Sequence, residues 1–160
     1  MLMVSIIIMT YGHEKFIKES IDGVLMQECN FDVELIIAND CSPDNSDFII
    51  KEIINSSPRS NWIKYTRHTE NKGMQSNFIW AYEQCKGKYI AMCEGDDYWT
   101  DPLKLQKQVN FLESNLDYVL CFHKVDVLKP SGKVVTDFIT RIPENYESRE
   151  VFLKKSFKRS

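Results

Sequence analysis

The sequence predicts an α/β fold: a mostly parallel central sheet with helices on both faces, in three layers. Three observations carry that expectation. Apolar, β-branched runs broken only by Ser5 and Glu34 occur at residues 4–9 and 33–38, the pattern of strands covered on both sides. Each run is followed by a polar loop and then by apolar residues at helical spacing. A third helical stretch leads into another apolar run at 88–93, so strands and helices alternate, as a parallel sheet with crossover helices requires.

The elements follow in order. After strand 4–9 comes the loop Thr10-Tyr11-Gly12-His13, and then Phe16, Ile17, Ile21, Val24 and Leu25 mark a helix face. Residues 33–38 form the second strand and 39–42 a loop. Ser42 is expected as N-cap of the second helix, with Pro43 at its first position and Asp44 in its first turn; Phe48, Ile49, Glu52 and Ile53 continue it. Beyond the breaker Ser56-Ser57-Pro58-Arg59-Ser60, residues 62–66 read as a short strand. The third helix sets Met74, Phe78, Ala81, Tyr82 and Cys85 on one face and ends at Gly87, before strand 88–93. Asp101-Pro102 opens a fourth helix with Leu105, Val109, Leu112 and Leu116 on one side. Residues 118–123 and 133–138 read as strands around the turn Lys129-Pro130-Ser131-Gly132, and the tail from Glu147 as helix.

At 160 residues, 43% apolar and 27% charged, the chain has the length and composition of one globular domain, expected to run over residues 1–160. A net charge of −3 without a central Lys/Arg block argues against a nucleic-acid partner. The apolar start MLMVSIIIM is shorter than the roughly 20 residues that span a bilayer, and it lacks a basic flank or cleavage site. It reads as a buried strand. Five cysteines, an odd number without a C-x-x-C pair, signal neither a disulfide framework nor a zinc site and point to a reducing cytoplasm. The basic end FLKKSFKRS would suit peripheral contact with anionic lipid at the inner membrane face, although such cations are more often simply solvated.

The chemistry concentrates in CEGDDYW, residues 93–99, where Glu94, Asp96 and Asp97 crowd around Gly95 at a strand end. Carboxylates on such a turn suit a hard divalent cation, completed by water and phosphate oxygens. A solvated acidic turn that caps the next helix suits the same residues, and the stretch alone leaves both readings open. In parallel sheets ligands gather outside the carboxyl ends of strands, so the loops at Thr10, Asp40 and Asp96 are expected to share one rim. Counting Asp40 as the first position of a calcium loop puts Asn45 where glycine is needed and Lys51 where the bidentate Glu is needed, which excludes an EF-hand. With Ser42 and Asp44 assigned to helix capping, Asp40 is left with hydrogen-bonding capacity for a ligand. No Walker loop, no G-x-G-x-x-G and no G-x-S-x-G elbow occurs. His13, His68 and His123 come without a marked nucleophile and read as structural or surface residues.

In order, VSIIIMTYGHEKFIKESIDGVLMQ, ELIIANDCSPDNSD and NKGMQSNFIWAYEQCKGKYIAMCEGDDYWTDPLKLQKQV resemble the amino-terminal donor domain of the family 2 glycosyltransferases, nucleotide-diphospho-sugar transferases of GT-A type with a Rossmann-like sheet. The likeness covers about residues 3 to 115. Four ordered signals carry it: a strand plus Thr10-Tyr11, a strand plus Asp40, the turn Asn71-x-Gly73, and the acidic turn plus Tyr98-Trp99. The resemblance implies that Thr10 and Tyr11 line the base, that Asp40 bonds a pyrimidine edge and that Asn71 and Gly73 belong to the donor site. It further implies that Asp96 meets ribose or diphosphate, that Glu94 reaches a sugar or ribose hydroxyl and that Asp97 binds Mn²⁺ or Mg²⁺. Glu94 stands where the family's acidic motif begins with Asp, and Gly12 stands where the family often has Asn.

The implied activity is metal-assisted, inverting transfer of a sugar from a UDP- or dTDP-linked donor to a saccharide or lipid-linked acceptor, as in cell-surface polysaccharide biosynthesis. The alternative is a nucleotide-sugar-binding module without efficient transfer. A general base on the acceptor hydroxyl is also needed. Asp126 and Asp137 lie in the acceptor-side half, but their spacing marks neither, and no base is assigned. The terminal stretch ends on FKRS without a cap, so the chain is expected to be a piece of a longer transferase, ending before the acceptor-side region. The oligomeric state is not encoded legibly.

Overall fold

The computed structural model describes residues 2–123 and 125–136. Its sheet is built from β1 (Leu2–Thr10), β2 (Asp32–Asn39), β3 (Ile63–Arg67) and β4 (Tyr89–Glu94), in the order β3-β2-β1-β4, with every pairing parallel. The central strands β1 and β2 are the apolar runs, and they are buried on both faces. Three helices join the strands: α1 (Ile17–Leu25), α2 (Ser46–Ser56) and α3 (Met74–Gln84).

Alternation along the strands assigns the layers. Ile7, Ile36 and Ala38 point to one face, where Ala81 of α3 packs on them with Phe78 and Trp80 beside it. Ile6, Ile8, Leu35 and Ile37 point to the other and are fully buried. On that side lie Ile17, Ile21 and Val24 of α1, which packs on β1 and against α2. The three-layer α/β arrangement is thus the one expected. Register places Ile90 and Met92 of β4 on the α3 face, where both are partly exposed, and Cys93 on the α1 face beside Ser20.

A buried polar cluster fastens the amino-terminal side of the sheet. Ser5 and Glu34 are register partners on β1 and β2, and Ser5 Oγ donates to Glu34. Glu34 also pairs with Lys64 and accepts the Lys86 N–H at 2.8 Å, while Ser5 Oγ accepts the Gly87 N–H at 2.8 Å. This ties the loop between α3 and β4 to the strands. A Cβ at Gly87 would lie 2.5 Å from Ser5 N, so glycine is what permits the approach.

The chain divides into two compact units, Met1–Gln106 and Lys107–Ser160. A fourth helix, α4 (Lys104–Ser114), begins in the first and continues in the second. In the second unit β5 (Asp126–Leu128) and β6 (Val134–Thr136) form an antiparallel hairpin. Its turn is closed by Lys129 N–H to Lys133 O at 2.9 Å, with Gly132 at φ 77°. Among the described residues no helix is long and apolar enough to cross a membrane. All five cysteines are free thiols.

Several local expectations need correction. The second helix starts at Ser46, three residues later than the Ser42 cap implies: Ser42 Oγ is engaged by the neighbouring loop, and Asp44 bonds both that loop and, through Oδ1, the Ser46 N–H at 3.0 Å. Phe16, Phe48, Met74 and Tyr82 are exposed; Ile53 and Ala81 are buried as expected, and Ser46 and Ile50 of α2 and Asn77 of α3 are buried beside them. Leu116 lies beyond the end of α4 and is exposed. Residues 118–123 carry no strand. The expected strand 133–138 is β6 in part; Asp137, Phe138 and the tail from Glu147 lie outside the described residues.

Candidate functional site

Three strand ends are stitched into one rim by backbone hydrogen bonds. Asp40 N–H donates to Thr10 O at 2.9 Å and Gly95 N–H donates to Met9 O at 2.9 Å, so the ends of β2 and β4 both close onto β1. His68 N–H adds the end of β3 by donating to Asn39 O at 2.8 Å. Thr10, Asp40 and the acidic turn therefore meet, as the parallel topology implied.

The loop after β1 is fastened to the loop after β2. Gly12 N–H donates to Ser42 Oγ at 3.1 Å, Glu14 N–H to Asp44 Oδ2 at 2.8 Å, and Asn45 N–H back to Glu14 Oε2 at 3.0 Å. Asp44 is held below the usual carboxylate range: burial pushes it up, but hydrogen bonds from Ser46 and Glu14 outweigh burial. Gly12 has φ 74° with open space where a Cβ would stand. That left-handed conformation suits Gly and, among side-chain-bearing residues, Asn best. Tyr11 is half exposed on this loop, with its ring free to meet a flat ligand.

Asp40 is only 3% exposed, and neither of its oxygens is idle. Lys72 N–H donates to Oδ1 at 2.7 Å and Gly73 N–H to Oδ2 at 2.9 Å. Two of the roughly four acceptor sites of the carboxylate thus organise the turn 71–73. Asn71 Oδ1 accepts from the same Gly73 N–H at 2.9 Å, and Gly73, at φ 81°, starts α3. Next to Asp40, Cys41 is the one non-glycine residue with positive φ among those described, at 60°.

The acidic turn hangs from β4. Asp97 N–H closes it onto Glu94 O at 3.1 Å, and Ser20 Oγ from α1 donates to the same carbonyl at 3.0 Å. Beneath it, burial pushes the Cys93 thiol up to about 11. Glu94, Asp96 and Asp97 all have exposed side chains, Asp97 with its carboxyl partly screened from water. Burial, and then the neighbouring charge of Asp96, push the Asp97 carboxyl above the usual range, so a cation there would relieve both costs. Among the described residues no three His, Cys, Asp or Glu side chains converge as a metal cluster. The residues thus fit an ion held by one or two carboxylates and completed by phosphate and water oxygens, the habit of Mg²⁺ and Mn²⁺, rather than a cage of protein ligands.

Sequence reasoning passed over several residues that shape this rim. Asn39, fully buried, donates to Tyr65 Oη at 2.9 Å and accepts the Ser42 N–H at 2.8 Å. Gln27, also fully buried, donates to Gly23 O and Asp101 O and accepts the Leu105 N–H, fixing the segment after the acidic turn to α1. Arg67, at the end of β3, reaches Ser42 O at 3.3 Å and brings a cation to the rim. Apart from Ser42 for Asn39 and Gly23 for Gln27, these partners lie 25 to 78 residues away in the chain, so no local pattern marks them. His68 and Asn77 bond at 2.9 Å in the interior, which confirms His68 as structural.

Comparison with known proteins puts this rim in context. The family model described as glycosyl transferase family 2 matches residues 5–158. An uncharacterised protein of Mycobacterium tuberculosis is 41% identical over 134 residues, covering 84% of this chain and 38% of that protein. An uncharacterised glycosyltransferase of Methanocaldococcus jannaschii is 31% identical over 156 residues, covering 97% of this chain and 51% of its own length. The chain therefore spans between about two fifths and one half of these relatives. Among solved structures, S. aureus TarS 1-349 in complex with UDP superposes with TM-score 0.62 at 24% identity, over 72% of this chain and 33% of that one. The mannosyltransferase PcManGT of Pyrobaculum calidifontis, in complex with GDP-Man and Mn²⁺, gives TM-score 0.61 at 20% identity, over 68% of this chain and 32% of that one. At those identities the two structures speak for the fold.

Proposed function

The chain belongs to glycosyl transferase family 2, and from that premise we propose that it forms the donor-binding part of a glycosyltransferase using a UDP- or dTDP-linked sugar. The acceptor in this reading is a saccharide or lipid-linked sugar, and transfer proceeds with inversion. What supports the reading is the junction of three strand ends, where Thr10, Asp40 and the Glu94–Asp97 turn share one rim through two backbone hydrogen bonds of 2.9 Å.

The base end lies at Thr10 and the exposed Tyr11 ring, against the turn 71–73 that Asp40 holds. Asn71 and Gly73 shape that turn, so Asp40 serves the donor chiefly through backbone position. Asp96 takes the ribose or diphosphate, Glu94 a sugar or ribose hydroxyl, and Asp97 is the residue to hold Mn²⁺ or Mg²⁺. When bound, the ion supplies Lewis-acid neutralisation of charge developing on the leaving diphosphate. The chain's own residues bind, orient and fix these groups. Peripheral contact with the inner membrane face, in the cytoplasm, belongs to the same proposal.

Calorimetry with UDP, dTDP and GDP in the presence of Mn²⁺, followed by release of nucleoside diphosphate from a panel of sugar donors, tests the reading. Binding of UDP or dTDP is the expected result; no binding of any of the three removes it. Binding without turnover in the full gene product favours the alternative of a nucleotide-sugar-binding module.

A further inference from the structure

Two buried polar atoms on the first loop have no hydrogen-bond partner among the described residues: Thr10 Oγ1 and His13 Nδ1. Buried polar groups are nearly always paired, so each exception calls for a physical reason. Both flank the centre of the acidic turn. A Cβ added at Gly95 would lie 2.5 Å from His13 Nδ1 and 3.0 Å from Thr10 Cβ, so the imidazole edge rests against the turn's backbone. Thr10 itself is 2% exposed.

His13 is not placed there by a slack loop. Its neighbours Gly12 and Glu14 are pinned through their N–H groups to Ser42 and Asp44, and His13 O accepts from both Phe16 and Ile17 at 2.9 Å, at the start of α1. The backbone on each side is thus fixed, and the ring is held under the turn with one nitrogen unanswered. The turn above is itself bonded: Asp97 N–H and Ser20 Oγ donate to Glu94 O, Cys93 Sγ donates to Asp97 O at 3.5 Å, and Gly95 N–H donates to Met9 O at 2.9 Å. The last of these is the bond that a shift at Gly95 breaks, and glycine there leaves no side chain in the way of that shift.

From this geometry we propose that His13 is a donor-site residue: its Nδ1–H is the hydrogen-bond donor that the distal phosphate of a nucleoside diphosphate takes up as the acidic turn shifts at Gly95 to hold that diphosphate. Thr10 Oγ1 is the second polar atom uncovered by the same shift. The proposal rests on the donor-binding reading above and adds to it a residue that selects diphosphate over monophosphate.

The test is calorimetry on the 160-residue chain with UDP and with UMP, each in the presence of Mg²⁺, for the protein and for His13→Phe and His13→Asn. Phenylalanine keeps the ring without the nitrogen, whereas asparagine puts a polar nitrogen near the Nδ1 position. His13→Phe is expected to weaken UDP about tenfold, the loss of a hydrogen bond to a charged group, and to leave UMP within about twofold; His13→Asn retains most of the UDP affinity. A shift of the His13 Nδ1 nitrogen resonance on addition of UDP and Mg²⁺, absent with UMP, is expected in the unmutated chain and needs no variant to fold. UDP binding unchanged in His13→Phe, equal losses for UDP and UMP, or an unmoved Nδ1 resonance would overturn the proposal. An unmutated chain that binds neither nucleotide would instead overturn the donor-site reading itself.

Discussion

The Asp40 carboxylate, buried at the end of β2, accepts the N–H of Gly73 at 2.9 Å from a loop 33 residues further along the chain, and that of Lys72 at 2.7 Å beside it. Two backbone donors on one carboxylate make Asp40 the clamp of the turn that starts α3. Asp40→Ala removes both charge-assisted bonds and is expected to cost about 2 kcal/mol. Asp40→Asn recovers part of this, since its amide presents only one acceptor oxygen to two donors. Denaturant unfolding of the three proteins checks the order.

Gly12 at φ 74° and without neighbours within 4 Å where a Cβ would stand is constrained by conformation alone. Gly12→Asn is therefore expected to fold within about 0.5 kcal/mol of the parent, because asparagine tolerates the left-handed region. Gly12→Val is expected to lose roughly 1–2 kcal/mol or more. Thermal melting of both variants gives the comparison.

Gly95 is constrained by contact instead. Its added Cβ would meet His13 Nδ1 at 2.5 Å and Met9 O at 2.8 Å, and the latter is backbone that cannot swing aside. Gly95→Ala is expected to cost about 1–3 kcal/mol by overpacking and to weaken UDP binding by displacing Asp96 and Asp97. Unfolding and nucleotide titration of this single variant measure the two effects separately.

Glu34 supplies a pH dependence. Burial pushes its pKa up, but the hydrogen bonds from Lys64, Ser5 and the Lys86 N–H outweigh burial and hold it below the usual value. A carboxyl with its folded pKa depressed contributes stability that is present above the unfolded value of about 4.3 and is lost as pH falls through the folded one. Urea midpoints are expected to fall as pH drops below about 4.3, and Glu34→Gln, which carries no charge to titrate, is expected to flatten that fall.

The parts of this molecule that were legible in its sequence are those written in local periodicity. The runs at Ile6–Ile8 and Leu35–Ile37 have no polar face, so they had to be covered on both sides, and that alone sets the sheet inside helices. Acidic residues at a strand end in such a sheet had to lie on the carboxyl rim. What stayed hidden depends on partners distant in sequence. Ser42 looks like a helix cap until the first loop presents Gly12 to it, and Asp44 divides its two oxygens between that loop and the helix start. The hold of Asp40 on the turn 71–73 rests on Lys72 and Gly73, more than thirty positions away. Phe48 sits in a helical pattern yet faces out, because the apolar stripe of α2 runs through Ile50 and Ile53.

The central claim is that Asp97 holds a divalent cation against a nucleoside diphosphate, and titration of UDP with and without Mn²⁺ into the chain and into Asp97→Ala tests it most directly. Tighter binding of UDP when Mn²⁺ is present, with that gain abolished in a folded Asp97→Ala protein, is the result the account predicts. UDP binding that is indifferent to Mn²⁺, or a gain that survives in Asp97→Ala, would contradict it.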